Sequence, residues 1–107
     1  MLNKKVYIAG PVSGLPGSVS AARFARAERE LRDLGYQHII NPRSMFEGTG
    51  LAWDDVMAQC LGLIRAADLV ILLPGWQSSR GATMELGAAY ALGIPVYEYK
   101  RLRLIRA

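Results

Sequence analysis

The chain contains one cysteine, Cys60, and one histidine, His38. A lone thiol excludes an internal disulfide and fits a reducing, cytoplasmic setting. One imidazole and one thiolate cannot complete a protein zinc shell, so no metal centre is expected. Nothing in the residues calls for an organic cofactor either. No apolar run reaches the ~20 residues of a membrane-spanning helix. The short apolar segment after Lys4-Lys5 is cut by Gly10-Pro11 before a signal-peptide core can form. Repeats, low-complexity tracts and linkers are also missing. Residues 1–107 therefore read as a single domain, long enough to bury its own core.

Charge is unevenly spread. The formal net charge is +4, which raises the question of a nucleic-acid partner. Arg23, Arg26, Arg29 and Arg32 share one segment, but Glu28, Glu30 and Asp33 are interleaved with them, the pattern of a solvated helix face. The denser cluster is the 100–107 tail, where Lys100, Arg101, Arg103 and Arg106 alternate with Leu102, Leu104 and Ile105. That tail suits an edge strand, an arm docked at a subunit interface, or a frayed end. No aromatic-interleaved basic stripe accompanies it, so nucleic acid is not the expected partner.

From Gly81 to Tyr97 the only charge is Glu85. Small and apolar neighbours should strip this carboxylate of hydration, which is costly unless the group is paired or used. The alternative is a glutamate near a helix start, stabilised there by the macrodipole.

Apolar periodicity sets the order of elements. Val6-Tyr7-Ile8-Ala9 reads as a buried strand closed by Gly10-Pro11. From about Ser18 to Leu34 the period becomes helical, with Ala21, Phe24, Ala27, Leu31 and Leu34 on one face. Ser18 or Ser20 can cap its start, and Gly35 stands where a helix-terminating glycine belongs. Tyr36–Ile40 reads as a second strand, followed by a loop through Gly48-Thr49-Gly50. A second helix begins near Trp53-Asp54-Asp55, with Val56, Met57, Cys60, Leu61 and Ile64 inward. Leu69–Leu73 is a third strand, Gly81–Gly93 a third helix, and Ile94–Tyr99 a last strand. Alternating strands and helices, with strands apolar throughout, predict an α/β fold: three α/β/α layers around a flavodoxin- or Rossmann-like parallel sheet of four to five strands.

In such a sheet, ligands sit at the carboxyl ends of the strands. Two loops there suit one. Gly10-Pro11-Val12-Ser13-Gly14 lets backbone amides come close to a ligand, and Gly75–Gly81 sets Ser78, Ser79 and Arg80 at a helix start that favours a phosphate or carboxylate. Neither carries the Gly-Lys-Ser/Thr of a P-loop or the Gly-x-Gly-x-x-Gly of a dinucleotide site.

Taken together the motifs resemble the nucleoside 2-deoxyribosyltransferase family. Val6-Tyr7-Ile8-Ala9-Gly10-Pro11 is similar to its opening. Ser79-Arg80-Gly81-Ala82-Thr83-Met84-Glu85-Leu86-Gly87, with Ala91-Leu92-Gly93-Ile94-Pro95-Val96, is similar to its carboxyl-terminal signature. The likeness runs from Lys5 to about Tyr97 and favours a small bacterial and phage branch, near the deoxynucleoside 5′-monophosphate N-glycosidases. It implies that Glu85 attacks the anomeric carbon of a 2-deoxyribose and expels the base, leaving a glycosyl-enzyme ester that water or a second base resolves. Tyr7 matches the family tyrosine that orients the nucleophile, although a strand tyrosine also serves as plain packing. Ser79, six residues before Glu85, stands where the transferases carry a sugar-binding aspartate. Beside Arg80 and Gly81, a serine implies a 5′-monophosphate. Gly10, Ser13 and Gly14 complete the sugar-phosphate contact in this reading, and Trp76 either stacks on the base or packs at the strand end.

One departure matters. The family places an aspartate eight residues before the position of Asp68, and this chain has Cys60 there. A thiol is a poor substitute for an acid that protonates or holds the leaving base. The implied function is therefore N-glycosidic cleavage or base exchange, with a non-catalytic nucleotide-binding protein as the alternative. A homodimer or larger homo-oligomer is implied by the same resemblance.

Overall fold

The computed structural model describes residues 3–12 and 17–100, and the backbone of 103–106. The elements are β1 (Lys5–Ala9), α1 (Gly17–Asp33), β2 (His38–Ile40), α2 (Pro42–Met45), α3 (Trp53–Arg65), β3 (Leu69–Leu72), α4 (Arg80–Ala91), β4 (Val96–Lys100) and β5 (Arg103–Arg106), with a 3₁₀ turn at Trp76–Ser78. They form one sheet in the order β2-β1-β3-β4-β5. β1 pairs in parallel with β2 and β3, and β3 with β4. The expected parallel α/β sheet is thus present in four strands. The tail adds a fifth that runs antiparallel, Tyr99 opposite Leu104; two intervening residues are too few for the crossover a parallel strand needs.

Both faces of the sheet are covered, which explains the unbroken apolar runs. Val6, Ile8, Leu69 and Ile71 meet Phe24, Ala27 and Leu31 of α1. The intervening Tyr7, Ala9, Val70 and Leu72 face Cys60 and Ile64 of α3 and Ala89 of α4. The hydroxyl of Tyr99 donates to Glu30, tying β4 to α1. Among the described residues no helix is long and apolar enough to cross a membrane.

Several boundaries differ from the sequence expectation for local reasons. α1 starts at Gly17, so Ser18 and Ser20 lie inside the helix. The Ser20 hydroxyl instead donates to the Pro11 carbonyl at 3.2 Å and pins α1 to the loop after β1. Leu34 falls beyond the last turn and is exposed. Gly35, at φ 105°, closes the helix, with its N–H on Arg32 O and the Tyr36 N–H on Leu31 O. That use of Tyr36 delays β2 to His38. Gly93, at φ 72°, ends α4 in the same way, with the Ile94 N–H on Ala89 O. α2 occupies what reads as loop; Asn41 caps it by accepting from the Ser44 N–H at 3.2 Å.

The 2-1-3-4-5 order reverses direction between β1 and β3, so the loops that follow these two strands diverge and leave a crevice. The strand ends are close. A Cβ on Gly10 would lie 2.9 Å from Leu73 Cβ, while the Leu73 N–H holds Ala9 O at 2.8 Å.

Candidate active site

A cavity of about 450 Å³ opens at this crevice. α4 supplies its acid, and the start of α4 is well fixed. Ser79 is the N-cap, its hydroxyl accepting from the Ala82 N–H at 3.1 Å. The Thr83 hydroxyl donates to Ser79 O at 2.8 Å. Gly81 lets α4 approach α3, since a Cβ there would lie 3.3 Å from Met57 Sδ. Ala82, Glu85 and Ala89 follow at helical spacing and form the buried stripe of α4.

Glu85 is therefore turned inward and is only 5% exposed. It accepts a hydrogen bond from the hydroxyl of Tyr7 in the centre of β1, a residue 78 positions away. Loss of hydration pushes the Glu85 carboxyl up to about 7, against the lowering effect of the Tyr7 hydroxyl. Burial, more than the dipole of α4, governs this group; a dipole-stabilised glutamate would be lowered instead. The Tyr7 phenol is raised by its own burial, then by the Glu85 charge and by the neighbouring Cys60 thiol. It remains a proton donor at neutral pH. The Cys60 thiol is likewise raised, chiefly by burial and also by the Glu85 charge, with the Tyr7 contact opposing. Tyr7, Cys60 and Glu85 thus form a connected buried group with one ionisable proton near neutrality.

Gly10, Ser79, Arg80, Gly81 and Glu85 all line the cavity. Tyr7 lies beneath them with no exposure of its own. Ser13 and Gly14 fall outside the described residues. Trp76 is not in the cavity wall. It packs with the α3 and α4 core, and its indole N–H donates to Glu98 of β4 at 3.0 Å. A register set by β4, invisible in the local sequence, draws it away.

The wall also includes Arg43, Trp53 and Cys60. The Arg80 guanidinium lies over the Trp53 ring at 4.6 Å, and Trp53 is 41% exposed. Arg43 donates to Gly17 O at 3.2 Å, and its Nε is buried without a hydrogen-bond partner among the described residues. Trp53 carried a usable signal, an aromatic at the first position of a helix. Arg43 carried none, because its place depends on α2. Asp68 lies at the opposite end of the sheet, accepting from the Lys5 N–H at 2.8 Å. Asp54 and Asp55 are exposed and absent from the wall.

This sheet order, with a crevice at β1 and β3 and a buried glutamate beneath it, defines a protein with the α/β fold of the 2-deoxyribosyltransferases. A solved 2-deoxyribosyltransferase from Bacillus psychrosaccharolyticus superposes with a TM-score of 0.68 at 28% identity, over 88% of this chain and 70% of that one. The 2-deoxyribosyltransferase of Leishmania mexicana gives a TM-score of 0.62 at 24% identity over 90% of this chain, a likeness of fold; the chain spans 63% of that protein. Residues 4–98 match the family described as Domain of unknown function (DUF4406), and the chain belongs to that family. Curated proteins gave no match.

Proposed function

We propose that the chain cleaves or exchanges the base of a 2′-deoxyribonucleoside 5′-monophosphate through a covalent Glu85 intermediate. The observation that carries this reading is the buried Glu85, held by the Tyr7 hydroxyl at the wall of a nucleotide-sized cavity. A carboxylate with little hydration to lose attacks an oxocarbenium-like carbon readily. Tyr7 orients the attacking oxygen and stabilises its charge. The likeness to a 2-deoxyribosyltransferase at 28% identity supports glycosyl transfer as the reaction class.

The phosphate in this reading rests on the wall chemistry. Arg43 and Arg80 place two permanent cations there against the single carboxylate of Glu85. Ser79 and Arg80 stand at the amino end of α4, where an anion is favoured. Trp53, rather than Trp76, is the tryptophan in the wall available to the base. The test is base release from a panel of deoxy- and ribonucleoside 5′-monophosphates, followed chromatographically, with Glu85→Ala alongside. Release by the parent alone supports the reading. Equal release by both proteins overturns the role of Glu85.

Cys60 favours a second reading, a nucleotide-binding protein without turnover. Its thiol lies in the wall beside Tyr7 and Glu85, where the related transferases are expected to hold an acid. Saturable nucleotide binding with no base release or exchange would select this reading.

Self-association belongs to the same proposal. The outward residues of α3 and α4 include Ala58, Gln59, Gly62, Thr83, Met84 and Gly87, with Tyr90 84% exposed. On α4 the exposed positions after Arg80 carry no charge, and an uncharged face is where two copies of net charge +4 meet with least repulsion.

A further inference from the structure

Expulsion of a base leaves an electron pair on its glycosidic nitrogen, and the proton for that nitrogen must come from somewhere. Among the described residues the cavity wall has two titratable groups other than arginine, Glu85 and Cys60. Glu85 is committed to the attack and must be ionised for it. The Cys60 thiol is buried and held in its neutral form. The Tyr7 hydroxyl is engaged in its hydrogen bond to Glu85 and is itself out of reach of a ligand, with no exposed surface.

Every other carboxylate is engaged or directed elsewhere. Glu28 accepts from Arg32 and Asn41, Glu30 from Arg26 and Tyr99, Glu98 from Trp76, and Asp68 from the Lys5 N–H. Asp33, Glu47, Asp54 and Asp55 are exposed and outside the wall. The segments 1–2, 13–16 and 101–107 contain no Asp, Glu, His, Cys or Tyr. The wall instead holds Arg43 and Arg80, which stabilise an anion without surrendering a proton.

On the reading of Glu85 as nucleophile, we infer that the substrate is a deoxyribonucleotide whose base departs as a stabilised anion, unprotonated by the protein. The matching class is an N-glycoside of a heterocycle with an acidic N–H, such as an electron-poor pyrimidine. In the first step a Glu85 oxygen bonds to C1′ as the C1′–N bond breaks, and the electron pair leaves on the base. The base anion takes its proton from solvent. In the second step water bonds to C1′, the C1′–O bond to Glu85 breaks with its pair returning to the carboxylate, and the surplus proton goes to solvent. Protons and electrons balance with no further reactant.

The experiment is single-turnover base release from 2′-deoxyuridine 5′-monophosphates carrying methyl, hydrogen, fluorine or bromine at C5, with the intact chain at one pH. Without an acid in the protein, the rate should climb with the acidity of the leaving base by about tenfold or more from methyl to bromine. Cys60→Asp should speed the methyl and unsubstituted compounds by roughly 10²-fold and flatten the series, since a positioned acid contributes on that order. Cys60→Asn, polar but without a transferable proton, should leave the series steep. A flat series in the parent overturns the inference while leaving glycosidic cleavage in place, for it means that an acid, for instance one from a second copy, already serves. Flattening by Cys60→Asn equal to that by Cys60→Asp also overturns it. Release from none of the compounds, the bromo derivative included, overturns the Glu85 reading itself.

Discussion

Replacing Glu85 with Gln should remove a pH-dependent burden on folding that arises from burial alone. The carboxyl has an ordinary value of 4.5 and is pushed up to about 7 in the folded chain, mainly by lost hydration. Folding thus raises the pKa, and between those values the native state keeps a proton that the unfolded chain has released. The stability linked to that proton is complete below pH 4.5 and is lost as pH rises through about 7. At about 1.4 kcal/mol for each pH unit, the interval corresponds to about 3 kcal/mol. Glutamine retains an oxygen to accept from Tyr7 but cannot ionise. Urea unfolding of parent and Glu85→Gln, at about pH 4.5 and about pH 8.5, isolates the effect from other titrating groups. The parent should lose about 3 kcal/mol relative to the variant between the two conditions. A stability difference that stays constant with pH would refute the argument, because burial would then not be the dominant influence on this group.

Tyr7→Phe deletes the hydroxyl that lowers Glu85, so the acidic limb of the pH–rate profile should move upward from about 7. A hydrogen bond to a charged group is worth ~1.5–3 kcal/mol, so the displacement should be about one pH unit or more, with activity recovering in alkali; an unmoved limb refutes it. Gly10→Ala would press a methyl to 2.9 Å from Leu73 Cβ, where the strand ends cannot part without breaking the Ala9–Leu73 hydrogen bond. The expected loss is about 1–3 kcal/mol by urea unfolding. Ser79→Ala removes the N-cap of α4 and should cost about 1 kcal/mol in the same assay. Tyr90→Glu places a charge on the bare outer face of α4, and sedimentation should show weaker association than in the parent.

Much of the site was legible, for reasons that differ from residue to residue. Glu85 stands out because an isolated carboxylate in an uncharged run is a desolvation problem visible in one dimension. Ser79 is legible as a hydroxyl at a helix start six residues before Glu85, while its role as the N-cap of α4 emerges only in the structure. Gly10 and Gly81 were read from composition, and the close contacts each permits, with Leu73 and Met57, emerge only on folding. Trp76 shows the limit. Its indole N–H is satisfied by Glu98, 22 residues on, through pairing of β3 with β4. Trp53, whose indole N–H has no hydrogen bond among the described residues, is left at the cavity under Arg80. α2 escaped notice because four residues are too few for a helical period to register, and Arg43 escaped with it.

The sequence by itself determined the alternation of strands and helices, the stops at Gly35 and Gly93, and the isolation of Glu85. Each follows from local terms: apolar period, left-handed backbone and side-chain hydration. Only the tertiary structure decided that Tyr7, Cys60 and Glu85 meet, that the tail pairs antiparallel to β4, and which tryptophan faces the cavity. Those outcomes depend on strand order and on contacts between residues far apart in the chain. The raised pKa of Glu85 is of the same kind, because hydration is lost to surroundings that exist only once the sheet and its helices have closed around the carboxylate.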